Sequence, residues 1–112
     1  MEDLRPVLRP LASLLGKCEK AQQKLAPGTG PYGRMQDSVH ALRLATALLD
    51  GRTDAASFST DELARARATL DGLAHKTDAA LARFPEGTAQ HALLRNRLRA
   101  LRHATLAVAA VQ

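Results

Sequence analysis

Over the first quarter of the chain, Leu4, Leu8, Leu11, Leu15, Cys18, Gln22 and Leu25 recur at alternating spacings of four and three. That rhythm lays them along one face of a helix of period 3.6, which Val7, Leu14 and Ala21 widen into a stripe broad enough for a core. Pro6 suits a first helical turn, whereas Pro10 removes an intrahelical bond, so the helix is expected to begin near Pro10 or to kink there. The run Ala26-Pro27-Gly28-Thr29-Gly30-Pro31 ends it and places Thr29 to cap a second helix. That helix carries Met35, Val39, Leu42, Ala45, Thr46 and Leu49 on one side and stops at Asp50-Gly51. Ser59-x-x-Glu62 is a capping box that starts a third helix, with Phe58 placed to staple onto Leu63. Its apolar face continues through Ala66, Leu70, Leu73, Ala80, Leu81 and Phe84 before Pro85-Glu86-Gly87 turns the chain. Thr88 then caps a fourth helix, which presents Leu94, Leu98, Leu101, Thr105 and Val108, with Leu93, Ala100, Ala104 and Val111 beside them.

The second pair of helices repeats the first. Laid over itself at an offset of 59 residues, the chain matches Leu4, Leu11, Leu14, Lys17 and Ala21 to Leu63, Leu70, Leu73, Lys76 and Ala80. Gly28-Thr29 falls on Gly87-Thr88, and Ala41-Leu42-Arg43-x-Ala45-Thr46 falls on Ala100-Leu101-Arg102-x-Ala104-Thr105. These are 12 identities in 53 overlapping positions, against roughly 5 expected for so Ala- and Leu-rich a composition. The pattern therefore predicts an all-α fold: an antiparallel, up-down four-helix bundle made of two tandem helical hairpins related by a pseudo-twofold axis. Residues 1–112 form one domain, with hairpin repeats at 1–58 and 59–112, and the stretch from Gly51 to Phe58 is the linker.

Composition narrows the picture. With 112 residues, no Trp, one Tyr and two Phe, the core must be built from Leu, Val, Met and Ala, and a separate catalytic domain does not fit. No apolar run reaches the roughly 18 residues of a membrane span, and Met-Glu-Asp-Leu-Arg-Pro lacks the layout of a signal peptide. A soluble, cytoplasmic protein with no membrane partner is expected. The lone Cys18 has no partner for an internal disulfide and is expected to be a half-buried, inert thiol.

The formal charge of +5 has a local source, because no Asp or Glu follows Glu86 while Arg95, Arg97, Arg99, Arg102 and His103 crowd the last helix. Arg95, Arg99 and Arg102 recur at i, i+4 and i+7, a basic stripe suited to phosphates of nucleic acid or another polyanion. Against nucleic acid stand the lack of aromatic side chains to stack on bases and the absence of a recognisable binding motif. Arg97 lies about 60° from the centre of the apolar face, so it must reach out to water or pair with an acid such as Asp37 or Asp71.

On the second helix, Leu44 and Leu48, with Ala41 beside them, fall outside the core stripe and predict an exposed apolar ridge of the kind that forms protein interfaces. His40-Ala41-Leu42-Arg43 resembles the His-x-Leu-Lys-Gly stretch of histidine phosphotransfer domains, which are also four-helix bundles. The resemblance covers four or five residues and implies phosphotransfer at His40, with Arg43 neutralising the phosphoryl group. Leu44 stands where that family has glycine, and Arg99 replaces the histidine in the second repeat. The glycine-rich stretch from Gly28 to Arg34 lacks the Gly-Lys-Ser/Thr ending of a phosphate loop and is explained by its turn. Neither His40, His75, His91 and His103 nor the carboxylates show metal-ligand spacing, and no nucleophile–base pair or cofactor motif occurs.

The expectation is thus a non-enzymatic helical interaction module, docking on a protein partner or on a second copy of itself through Ala41, Leu44 and Leu48. Polyanion binding through Arg95, Arg99 and Arg102 is the alternative, and phosphotransfer at His40 the third.

Overall fold

The computed structural model describes residues 3–112, which form four helices with no strand among them: α1 (Arg5–Gln23), α2 (Gly30–Leu49), α3 (Thr60–Leu81) and α4 (Ala89–Val111). A single 3-10 turn, Ala55–Ser57, interrupts the linker between α2 and α3. Each boundary has a local cause. Thr29 and Thr88 are extended N-caps whose hydroxyls accept from the backbone N–H of Tyr32 and His91. Ser59 and Glu62 close the reciprocal capping box expected from sequence. Ahead of both threonine caps the chain turns through a glycine, Gly28 at φ 84° and Gly87 at φ 89°, a conformation that a Cβ disfavours.

At α1 the structure departs from expectation. The helix begins at Arg5 and runs through Pro10. Leu4 supplies no side-chain cap, but the Asp3 carboxylate accepts the Arg5 backbone N–H at 3.0 Å and takes over that role. Pro10 therefore removes one bond within a helix already anchored at its start.

Packing follows the ring α1–α2–α3–α4, each helix against its neighbours in sequence and α4 against α1, while α2 and α4 also meet across the middle. Leu11, Leu42, Leu70, Leu101 and Val108 are the large side chains fully sealed from solvent. Small residues of both helices lie in the core, Ala41 and Ala45 of α2 and Ala100 and Ala104 of α4, all buried. Such side chains allow two helix axes to approach closely. The envelope measures 43 × 42 × 19 Å. Each helix, about 30 Å long, sits against two or three of the others.

That arrangement overturns the apolar ridge expected on α2. Ala41 is 1% exposed and Leu44 2%, and Leu48 is half-buried and packs on the core. The stripe rule assumes a helix covered on one side, but α2 has α1, α3 and α4 around it and buries two faces. Ala41, Leu44 and Leu48 are core and present no free docking surface. Leu106, by contrast, is 71% exposed. Phe84 and Leu93, expected on or beside apolar faces, also reach solvent.

Candidate anion-binding site

The last helix brings its cations to two different neighbours. On the α1 side, Arg99 and His103 of α4 line a hollow of about 600 Å³ whose opposite wall is Arg5, Pro6, Arg9 and Pro10 of α1. A smaller hollow of about 210 Å³ continues it and is lined by Arg97, Leu93 and Ser13. Arg9, Pro10 and Asn96 border both, so the two are one trench along the seam between α1 and α4. Its floor includes Val7 and Ala100, and its rim is basic.

Among the described residues one acid borders the trench, Asp3, and it is already engaged. Its carboxylate accepts from Nε and Nη2 of Arg5 at 3.1 Å each as well as from the backbone N–H. Those bonds hold the Asp3 carboxyl below its ordinary pKa, the side-chain bond from Arg5 most strongly, so it stays ionised and paired with Arg5. Arg9, Arg97 and Arg99 make no ion pair among the described residues. Arg9 and Arg99 are exposed, and Arg97 is half-buried. Of the two outcomes expected for Arg97, pairing with an acid does not occur among the described residues; the residue lines the smaller hollow. It lies near Cys18, whose thiol is buried. Burial raises the Cys18 pKa, Arg97 opposes the shift and Glu19 adds to it, which leaves a protonated, unreactive thiol.

The stripe expected from sequence is therefore divided. Arg99 faces the trench. Arg102 instead lines a separate notch with Asp71, Asp78, His75 and the exposed Leu106, where acids of α3 offset its charge. Arg95 is exposed outside both hollows. Arg9 was not singled out from sequence, because only the docking of α1 on α4 brings it beside Arg99. A charge-only signal was present, since Arg5 and Arg9 lie one turn apart on α1.

His40 occupies different surroundings. Its Nε2 lies 3.6 Å from a Glu62 carboxylate oxygen, and Asp37 and Arg65 share the hollow. Arg43, which the phosphotransfer resemblance assigns to a phosphoryl group, is bonded to Glu19 of α1. An acid beside the imidazole repels a phosphoryl group, and the cation that the resemblance assigns to that group is paired elsewhere. His75 pairs with Asp71 on its own helix. No group of three or more His, Cys, Asp or Glu gathers among the described residues, and no helix is long and apolar enough to cross a membrane.

Comparison with known protein families, with curated proteins and with solved structures finds no match to this chain.

Proposed function

We propose that this chain is a non-enzymatic helical binding module, a duplicated hairpin whose α1–α4 face takes an anionic ligand. Support for the duplication comes from residues 59 apart that share one role. Leu11 and Leu70 are both sealed, as are Leu42 and Leu101, and Cys18 and Thr77 are 7% and 8% exposed. Thr29 and Thr88 make the same cap, and the Thr46 and Thr105 hydroxyls donate to the carbonyls of Leu42 and Leu101 at 2.7 and 2.8 Å. In this proposal the four helices form an antiparallel up-down bundle whose two tandem hairpins are related by a pseudo-twofold axis.

One observation carries the functional half. An acid-free helix is laid beside Arg9, and the acid bordering the seam is already bound to Arg5. Such a surface attracts anions and repels cations at long range. Arg9 and Arg99 are exposed, which leaves them free to meet an anion docking from solvent.

The test is retention on heparin and binding of inorganic polyphosphate at low ionic strength. The wild-type chain is expected to bind both. The Arg9→Gln/Arg99→Gln variant should elute from heparin at clearly lower salt than Arg65→Gln/Arg67→Gln, which removes the same charge from α3. Equal elution of the two variants would place the effect in net charge alone and sink the seam as a site.

A further inference from the structure

The shape of the charge distribution narrows the ligand. Resting on the anion-binding reading above, we infer that the α1–α4 trench takes the phosphate backbone of a nucleic-acid duplex, without reading its bases.

First, the cations are strung out rather than converged. The α4 side of the trench runs from Leu93 to His103, about 15 Å at 1.5 Å per residue. Arg97, Arg99 and Arg9 lie along it. A cage for one small anion would gather buried donors around a point, but Arg9 and Arg99 are exposed. Successive phosphates of a duplex strand advance about 3.4 Å along the axis, so a trench of this length lies alongside several.

Second, the chemistry suits phosphate in particular. Every full cation of α4 is arginine, with no lysine, and the α1 wall adds Arg9, while Arg5 beside it is paired with Asp3. The guanidinium fork matches two phosphate oxygens, where an ammonium offers only a point charge. Asn96 on the shared border adds an uncharged donor.

Third, the trench provides nothing that reads a base. Its lining includes no Phe, Tyr or Trp, and the chain has one Tyr, two Phe and no Trp in all. Single-strand binders hold their ligand by stacking bases on aromatic rings. A duplex keeps its bases stacked and presents its phosphates in a fixed array, so an arginine trench without Phe, Tyr or Trp favours the duplex. Contacts confined to the backbone position a protein but carry no sequence information.

The experiment is fluorescence anisotropy of the whole protein with labelled 20-base-pair DNA, the same duplex in RNA, and single strands of each, between about 20 and 200 mM salt. Vesicles containing phosphatidylserine, and heparin, are run beside them. Wild type should bind duplexes of unrelated sequence within about twofold of one another and more tightly than single strands. Three phosphate contacts correspond to a slope of log K against log salt near −2.7. The Arg9→Gln/Arg99→Gln variant should lose at least tenfold in affinity and about 1.8 from that slope, while Arg65→Gln/Arg67→Gln changes affinity less than threefold. The DNA and RNA arms decide which duplex is preferred, and binding of either supports the inference. Retention by heparin with no duplex binding would overturn it and leave the anion-binding reading standing, as would binding of vesicles alone. Failure to bind heparin as well would remove both. An unchanged salt slope in Arg9→Gln/Arg99→Gln would place the duplex elsewhere on the molecule and equally overturn the inference.

Discussion

Leu44 separates the two accounts of α2 more sharply than any other residue. As part of an exposed ridge it would tolerate substitution; at 2% exposure it is core. Truncation of a buried leucine to alanine costs about 2–5 kcal/mol, the loss of apolar burial plus the cavity left behind. Leu44→Glu adds the burial of a carboxylate, several kcal/mol more unless the group protonates. A chain of 112 residues has a total stability of about 6–17 kcal/mol at 0.05–0.15 kcal/mol per residue. Leu44→Ala should therefore remain folded with a clear loss, and Leu44→Glu should be largely unfolded or insoluble. Urea denaturation followed by far-UV circular dichroism measures this, and with m about 1–3 kcal/mol/M the midpoint of Leu44→Ala should fall by roughly 1–3 M. Leu106→Ala, at 71% exposure, should stay within about 0.5 kcal/mol of wild type. A Leu44→Ala variant equally close to wild type, measured beside a strongly destabilised Leu42→Ala, would refute the placement of α2 among three neighbours.

Other parts of the structure make equally direct predictions. Gly28→Ala and Gly87→Ala each force a side chain into a left-handed conformation, at about 1–2 kcal/mol; nothing crowds a Cβ at either position, so near-equal losses in denaturation are expected, and a neutral result at one site would break their equivalence. Ser59→Ala removes the hydroxyl that caps Glu62 and should cost about 1 kcal/mol, with Ser59→Asn retaining most of the stability. For Cys18, the native thiol should resist iodoacetamide at neutral pH and react promptly in denaturant. Because folding raises its pKa, its contribution to stability is fully present below the unfolded-state value and is lost as pH rises through the folded one. Cys18→Ser should remove that alkaline component from the pH dependence of the urea midpoint.

Periodicity and turn chemistry in the sequence already determined the four helices and most of their ends. Thr29, Ser59 with Glu62, and Thr88 cap through bonds to residues three positions away, and Gly28 and Gly87 act within single turns. Such interactions need no tertiary partner, so they are legible in order along the chain. The acid-free last helix was legible for the same reason. What the tertiary structure alone decided was how many sides of each helix are covered and which charges meet across a seam. A stripe drawn for one buried face leaves Leu44 outside, and only the docking of α2 against α1, α3 and α4 brings it in. Arg9 and Arg99 are 90 positions apart, and no local pattern links them until α1 packs on α4. Arg102, one turn beyond Arg99, is turned instead toward Asp71 and Asp78. Burial and electrostatic pairing depend on which surfaces are within a few ångströms, and that distance is set by the packing of whole helices.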